Sequence, residues 1–192
     1  MPKDYAQQPL SQMRRPDRAV EDEAWIVEFL QRAPMGVMAT AHDGQPFINS
    51  NLFVYDEAEH VIYMHTARVG RTRANIDADG AEGHKVCFSI SEMGRLLPAD
   101  EALEFSVEYA GVTVFGKATV VEEDGAATHA LQMLLDKYCP HLKPGRDYRP
   151  IIVEELRRTS VYRIDIQEWS GKRKAVEDDF PGAFLYGEHP PA

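Results

Sequence analysis

Residues Glu104–Glu122, EFSVEYAGVTVFGKATVVE, form the longest strand pattern in this 192-residue chain. Apolar side chains recur at alternate positions along most of this run, which is typical of a strand with one buried face. Gly111 and Gly116 interrupt the run, and glycines inside a strand usually mark bends or bulges. A long strand bent at two points favours a barrel over a flat sheet.

Five shorter strand patterns accompany this long one. They are Gly36–Ala41, Phe47–Tyr55, His60–His65, Lys85–Ile90 and Thr159–Trp169. Asp43-Gly44 lies between the first two and predicts a tight hairpin, because such a turn needs positive φ angles. The helix patterns are Glu21–Ala33, Gly70–Asp79, Asp124–Tyr138 and Pro150–Arg158. Close strand neighbours without βαβ alternation predict a mainly β (α+β) fold, a six-stranded antiparallel barrel with flanking helices.

One domain accounts for most of the chain. Residues 1–20 are polar and contain three prolines, so we expect them to form an extended N-terminal arm. We expect residues 21–175 to form the barrel domain and residues 176–192 to form a C-terminal tail. The tail is acidic and then aromatic, and it either stays loose or packs on a neighbour.

The charge and the cysteines argue against several classes of protein. With a formal net charge of −10, the chain gains little from counterion release on nucleic acid, and anionic membranes repel it. It has no apolar run of the ~18 residues that span a bilayer, and Met1–Gln12 lacks the apolar core of a signal peptide. Cys87 and Cys139 form no CxxC pair, so a metal site is not expected and a reducing compartment fits. We therefore expect a cytoplasmic protein that binds neither nucleic acid nor membrane.

One basic turn has the composition of a phosphate site. His65-Thr66-Ala67 ends a strand pattern, and Gly70-Arg71-Thr72-Arg73 begins a helix pattern. A helix N-terminus attracts phosphate and arginine grips it in a bidentate way, although a solvated basic helix start has the same composition. We expect Arg71 to be the phosphate ligand and Arg73 to point outward.

Three further groups carry chemistry in the sequence. Asn49-Ser50-Asn51 places polar side chains inside an apolar strand, where at least one must find a protein or ligand partner. Trp169-Ser170-Gly171-Lys172 combines an aromatic ring with a cation, which can cover a planar ligand or pack on the barrel rim. Glu104 and Glu108 on the long strand face either a cleft or solvent.

An ordered series of short segments extends over nearly the whole chain, from about Arg14 to Lys174. The segments are Arg14–Arg18, Ala33–Thr40, Gly44–Phe47, Phe53–Tyr55, Ile62–Ala67, Gly70-Arg71, Val86–Phe88, Gly94–Ala99, Glu108-Tyr109, Lys137–His141, Val161–Ile164 and Trp169–Lys172. Together they resemble the pyridoxamine-5'-phosphate-oxidase-like flavin proteins and, within them, the nitroimidazole-reductase (Nim) branch. Neither a P-loop nor a GxGxxG, HExxH or GxSxG signature competes with this resemblance.

The resemblance implies a six-stranded antiparallel split β-barrel that forms a homodimer, with two FMN molecules in clefts between the subunits. The phosphate is expected at the turn between strand and helix, and the flavin ring along the polar strand. The implied flavin contacts are Asn49, Ser50, Asn51, Leu52, His65, Thr66, Ala67, Gly70 and Arg71 of one subunit, with Trp169 and Lys172 of the other.

The resemblance also implies an enzyme. Its expected activity is FMN-dependent reduction of a small electron-poor molecule, a nitroimidazole, another nitroaromatic or a quinone-like compound, with NAD(P)H as the candidate electron donor. His65 is expected to border the substrate as an acid or an orienting donor. Two alternatives stay open: a non-catalytic flavin- or haem-binding carrier or sensor, and pyridoxamine-phosphate oxidation. The latter is disfavoured because Trp169 is followed by Ser170-Gly171-Lys172 and not by the Arg-Leu-x-Pro segment of the true oxidases.

Overall fold

The computed structural model describes residues 4–188, and its first hairpin follows the turn chemistry of the sequence. Strand β2, Gly36–His42, pairs antiparallel with β3, Gln45–Asn51, from Gly36 opposite Asn51 to His42 opposite Gln45. Asp43 and Gly44 between them have φ angles of 50° and 75°. Both central residues thus adopt the positive φ that the two-residue turn requires, and the predicted hairpin is confirmed.

The described chain forms one antiparallel sheet of eight strands. The strands not yet named are β1 (Ala19–Val20), β4 (Phe53–Asp56), β5 (Val61–Ala67), β6 (His84–Leu97), β7 (Ser106–Val120) and β8 (Thr159–Lys174). Their order is β3-β2-β6-β7-β8-β5-β4, and β1 pairs with the far half of β8. The path is open between β3 and β4, as in a split barrel, so the predicted fold class is confirmed.

The strand count differs from the expected six for two reasons. The expected strand Phe47–Tyr55 breaks at Leu52, and its halves pair with different neighbours: β3 with β2, and β4 with β5. The second addition is β1, which comes from the arm. Hydrophobic alternation cannot reveal the break, because both halves keep the same alternation while their hydrogen-bonding partners change.

Gly116 marks a bulge between the two longest strands. Phe115 of β7 pairs with Glu168 of β8, but Gly116 pairs with Ile166, so Gln167 has no partner in β7. A Cβ on Gly116 would lie 2.2 Å from the backbone oxygen of Asp165, a distance only glycine avoids. The bend predicted from this glycine is therefore present, and the extra residue changes which positions of β8 face the core.

Four α-helices complete the described fold. They are α1 (Glu23–Arg32), α2 (Arg71–Asp77), α3 (Asp124–Tyr138) and α4 (Val153–Leu156). Helix α1 begins at Asp22, whose carboxylate accepts from the Ala24 N–H at 3.0 Å, and it buries Ile26, Phe29 and Leu30. None of the helices within residues 4–188 is long and apolar enough to cross a bilayer.

Two apolar cores lie on the two faces of the sheet. The first fills the barrel, with Phe29, Phe53, Phe88 and Tyr162 among its fully buried side chains. The second lies between the outer side of β4, β5 and β8 and the helices α3 and α4. Residues of β5 alternate between them: Ile62 and Met64 face the first core, and Val61 and Tyr63 face the second.

The arm and the tail both pack on the barrel. Ser11 donates to the Glu168 carboxylate at 2.6 Å, and Ala19 and Val20 pair with Lys172 and Gly171 of β8. In the tail, Phe184 exchanges two backbone hydrogen bonds with Leu96. The described part of the tail thus packs on its own β6–β7 hairpin, while residues 189–192 of it, like residues 1–3 of the arm, lie outside the described residues.

Candidate functional site

Most of the predicted flavin contacts meet at one corner of the barrel, which we call the α2 corner. It consists of Asn49, Ser50, Asn51, Leu52, His65, Thr66, Ala67, Gly70 and Arg71. The corner forms because β3 and β5 end next to the start of α2. Gly70 precedes the helix with a φ of 152°, a conformation that side chains rarely adopt, and so lets the chain turn sharply from β5 into α2.

The inner side of the α2 corner is a polar layer. Asn49 Nδ2 donates to Thr72 Oγ1 of α2 at 3.3 Å, and the hydroxyls of Thr66 and Tyr162 lie 2.8 Å apart. Asn51 Nδ2 is buried and has no hydrogen-bond partner in the described part of the chain. A buried amide N–H without a partner costs about 1–3 kcal/mol, so a further acceptor at this position would stabilise the protein.

The outer side of the α2 corner carries His65. Phe53 pairs with Met64, so the register continued by one residue places Leu52 beside His65. His65 Nδ1 is buried without a partner among residues 4–188, and burial lowers the pKa of the imidazole. Ile48 and Leu52 of the same strand are 67% and 44% exposed. The buried nitrogen His65 Nδ1 therefore lies next to a surface of exposed apolar side chains, Ile48 and Leu52.

The two arginines of α2 have opposite surroundings. Arg71 is exposed and makes no hydrogen bond or ion pair within residues 4–188. The expectation that Arg73 points outward is wrong: its guanidinium binds Asp77 at 2.7 Å and also reaches Ser160 and Glu122, both at 3.2 Å. Hydrogen bonds to Ser160 of β8 and to Glu122 hold this side chain against the sheet, and composition cannot foresee them. Because α2 has only seven residues, anion binding at this turn would depend mainly on Arg71 and not on the helix dipole.

Trp169 and Lys172 lie far from the α2 corner of their own subunit. Trp169 is eight residues along β8 from Val161, the partner of His65, or roughly 25 Å at the rise of a strand. Its ring packs on the core side, 4.6 Å from the ring of His60 and 6.1 Å from that of Tyr55. Lys172 lies on the opposite face of β8, with Nζ 5.0 Å from the ring centre of Tyr109.

The acidic pair of the long strand is not a free catalytic pair. Glu108 receives the guanidinium of Arg95 at 2.8 and 3.0 Å and the backbone N–H of Val176 at 2.9 Å. These partners lower the pKa of Glu108 to about 2. Arg95 also donates to the carbonyls of Glu177 and Asp178, so Glu108 and Arg95 fix the tail to the hairpin.

A large cleft lies under the arm, and it is lined in part by Lys172, one of the predicted flavin contacts. Its volume is about 490 Å³, its roof is Met13, Arg14 and Arg15, and its floor is the outer face of β6, β7 and β8. We call it the arm pocket. Serine, threonine and glycine occupy the outward positions of β6, β7 and β8, and this composition is a signal for the floor of the cleft. Only the order of the strands in the sheet shows that these residues lie side by side. Among the described residues, no three histidine, cysteine or acidic side chains converge as a metal site.

Comparison with known proteins identifies the family. The sequence profile of the family described as pyridoxamine 5'-phosphate oxidase matches residues 22–173. The chain belongs to this family. The resemblance inferred from the ordered segments is thereby confirmed. No curated protein sequence matches this member significantly.

Solved structures share the fold at low sequence identity. The flavocytochrome Anf3 from Azotobacter vinelandii is 22% identical, with a TM-score of 0.73 over 94% of this chain and 86% of that one. An FAD- and haem-binding protein from Mycobacterium smegmatis is also 22% identical, with a TM-score of 0.69 over 81% and 73%. A proposed 5-nitroimidazole antibiotic resistance protein from Bacteroides thetaiotaomicron is 18% identical, with a TM-score of 0.63 over 81% and 86%. At these identities the likeness establishes the split-barrel fold.

Proposed function

We propose that this family member binds FMN at the α2 corner and reduces a small electron-poor substrate there, such as a nitroimidazole, another nitroaromatic or a quinone. One observation carries the proposal: among residues 4–188, two buried polar atoms, Asn51 Nδ2 and His65 Nδ1, lack partners at the same corner where Arg71 is free. Buried polar atoms in folded proteins are nearly always paired. A ligand with hydrogen-bonding edges and a phosphate supplies what each group lacks.

The residues of the α2 corner fit a flavin mononucleotide. Arg71 would bind the phosphate, and Asn51 would bind the ribityl chain or the ring edge. Ser50, Leu52, Thr66 and Ala67 would line the nucleotide. The corner offers one free guanidinium, which favours one phosphate over a dinucleotide. When bound, FMN supplies the electron and hydride chemistry, while the protein positions and tunes it.

His65 would act on the substrate and not on the phosphate. The pKa of His65 is lowered by burial, so its imidazole is neutral at neutral pH and carries one N–H. That N–H can orient a nitro or quinone oxygen, or supply a proton as negative charge develops on the oxygen. The flanking Leu52 would exclude water from this side of the site, which strengthens the hydrogen bond.

A second copy of the chain completes the proposed site. The exposed apolar residues Ile48, Leu52 and Val69 form a surface next to the α2 corner, and β3 leaves an open sheet edge. Edges and apolar surfaces of this kind are typically covered by another subunit. In a two-fold dimer Trp169 can approach the other subunit's flavin, although it is roughly 25 Å from its own α2 corner. Lys172, which faces outward from β8, would be the second contact that the partner subunit brings to this flavin.

The first test is the spectrum and the cofactor of freshly purified protein. We expect a yellow protein that bleaches with NAD(P)H, releases FMN on heating, and sediments at about twice 21.7 kDa. Recovery of FAD, or a failure to bind flavin after reconstitution with FMN, contradicts the FMN assignment. A monomer that retains its flavin contradicts the shared site.

A non-catalytic haem or flavin carrier is the second candidate. It is favoured by the same imidazole, because neutral histidine with a free ring nitrogen is a common metal ligand, and by the haem-binding relative from Mycobacterium smegmatis. The same absorption spectrum distinguishes such a carrier from the proposed FMN-dependent reductase. A red protein with a Soret band that His65→Ala abolishes supports haem, and a flavin spectrum without turnover of any nitro or quinone acceptor supports a carrier.

A further inference from the structure

Lys137, near the end of α3, is a half-buried amine that belongs neither to the α2 corner nor to the arm pocket. Its side chain extends from α3 to the end of α1, where Nζ donates to the carbonyl oxygen of Leu30 at 3.2 Å. This carbonyl is one of the last four of α1, which have no N–H of a following helical turn to bind. The amine therefore joins two helices through a single hydrogen bond to the backbone.

No carboxylate neutralises the amine of Lys137. Within residues 4–188, no aspartate or glutamate oxygen lies within 4.0 Å of Nζ, and the adjacent Asp136 accepts from Gln132 at 3.1 Å. Instead, Nζ lies 3.8 Å from the ring centre of Phe53 and 5.3 Å from that of Tyr138. Because burial is not offset by an acid, it lowers the pKa of Lys137 to about 8. More of this amine is uncharged at neutral pH than of an exposed lysine.

Lys137 also borders a cleft of about 350 Å³ between α1, α3 and the outer side of β4, which we call the α3 cleft. The other lining residues are Gln31, Val54, Tyr55, Met133 and Asp136. Two of these side chains, Val54 and Met133, are apolar and belong to the second core or pack against it. The volume is near the lower end of the range for small-molecule sites, about 300–1,000 Å³, so the cleft accommodates a small ligand.

An uncharged amine beside an apolar cleft is a nucleophile for carbonyl carbon. Nζ adds to the carbonyl carbon of an aldehyde, and a C=N bond then replaces the C=O bond. The carbonyl oxygen leaves as water with the two hydrogens of the uncharged amine, so the step needs no further reactant. Since Val54 and Met133 line the cleft, an aldehyde with an alkyl chain gains more from entering it than a polar aldehyde does.

We propose that Lys137 is a covalent modification site, which captures small aliphatic aldehydes as a Schiff base in the α3 cleft. The amine is the nucleophile, and the side chains of Val54 and Met133 contact the alkyl chain. Modification replaces the ammonium over the ring of Phe53, the residue that follows Leu52 of the α2 corner. The site requires no flavin and does not depend on the proposed function.

The test is competitive labelling of the purified protein, with its native cofactor bound, by hexanal and cyanoborohydride. Cyanoborohydride reduces the imine to a stable secondary amine, which peptide mass mapping locates. At pH 7, Lys137 should be labelled at least about tenfold faster than the exposed Lys85 and Lys143, because their pKa lies near the usual value of about 10.4. Its rate should level off above about pH 8, whereas theirs should keep rising to about pH 10.

The length of the aldehyde tests the cleft separately from the amine. Hexanal has three more methylene groups than propanal and should label Lys137 about tenfold faster, with no such preference at Lys85. Met133→Gln retains the amine and should reduce this preference. Leu131→Gln is the matched control, since Leu131 packs against the second core from α3 but does not line the cleft.

Three results would overturn the modification site. The first is labelling of Lys137 no faster than that of Lys85, and the second is equal labelling of Lys137 by hexanal and propanal. The third is an equal loss of the hexanal preference in Met133→Gln and Leu131→Gln, which would show a general loosening of the core. Failure of the proposed function leaves a different record: the protein contains no flavin, while Lys137 still reacts first and still prefers hexanal.

Discussion

The two ends of β8 differ in the burial and the charge of the nearby polar groups that lack a partner within residues 4–188. At the α2 corner, beside Val161, the atoms of His65 and Asn51 that lack partners within residues 4–188 are buried, and burial lowers the pKa of the histidine. At the arm end, the groups without partners in the same part of the chain are solvent-accessible hydroxyls and the two cations Arg14 and Lys172. Buried neutral donors select a ligand by the geometry of its hydrogen bonds, whereas accessible cations select it by charge. The free polar groups at the two ends of one strand thus differ in burial and in charge.

The largest expected effect concerns His65. If its N–H serves the substrate, His65→Ala should lower the rate of nitroimidazole or quinone reduction by about 10²–10⁴-fold while flavin occupancy persists. His129→Ala, a change of an exposed histidine on α3, is the matched control and should keep full rate. Loss of flavin in proportion to rate would reassign His65 to cofactor binding, and no loss of either would remove it from the site.

The next effect concerns Arg71. Arg71→Ala should weaken flavin binding by about 1.5–3 kcal/mol, the range for hydrogen bonds to charged groups, which is at least about tenfold in Kd. The free flavin released on dilution measures this change by fluorescence. Lys85→Ala provides the same change in charge at a distance. Equal small effects of both variants would show that Arg71 is an ordinary solvated helix residue.

Arg73, on the same helix, is expected to contribute to stability and not to flavin binding. Its side chain is 17% exposed and bridges Asp77, Ser160 and Glu122, so Arg73→Ala should lower the free energy of unfolding by about 1–2 kcal/mol. Urea unfolding measures this loss. The flavin affinity of the folded fraction should stay near that of the unmodified protein. A stable Arg73→Ala variant that loses flavin would indicate that Arg73, and not Arg71, binds the phosphate.

The smallest effect is a pH dependence of stability. Because burial lowers the pKa of His65 in the folded state from its usual 6.5, the unfolded chain takes up the proton first as the pH falls. Stability should therefore be full above pH 6.5 and decrease as the pH drops below it. Thermal unfolding between about pH 5 and pH 8 measures the slope. His65→Gln should remove this contribution, and an unchanged slope would mean that His65 is solvated.

Much of the fold could be predicted because local chemistry specifies it. Asp43-Gly44 defines a hairpin, Gly116 defines a bulge, and the α1 pattern defines a helix that packs on the barrel. The break at Leu52 and the pairing of Ala19 with Lys172 were not predictable from the pattern, since neither changes the local alternation. They depend on contacts between residues far apart in sequence.

The candidate site was predictable only in part for a related reason. Residue type indicated which side chains can bind a flavin, and the fold brings nine of them together at the α2 corner. The direction of a side chain depends on its neighbours, so Arg73 could not be distinguished from Arg71. Of the arm pocket, the sequence indicated only the segment Trp169–Lys172, because the rest of the floor is assembled from neighbouring strands whose outward residues, such as Ser89 and Thr113, are individually unremarkable.

The bulge at Gln167 shifts by one residue the alternation that determines which side chains of β8 face the core and which face outward. Before it, even-numbered residues such as Tyr162 and Ile164 face the core; after it, odd-numbered residues such as Trp169 and Gly171 do. Deletion of that single residue would restore a continuous alternation. Trp169 would stay on the core side and Lys172 on the outer side, because the bulge already absorbs the extra residue. A flat strand of the present length, with Gln167 paired in register, would instead carry Trp169 out to the surface and turn Lys172 toward the barrel interior. The bulge therefore keeps the aromatic side chain on the core side and the cation at the arm pocket.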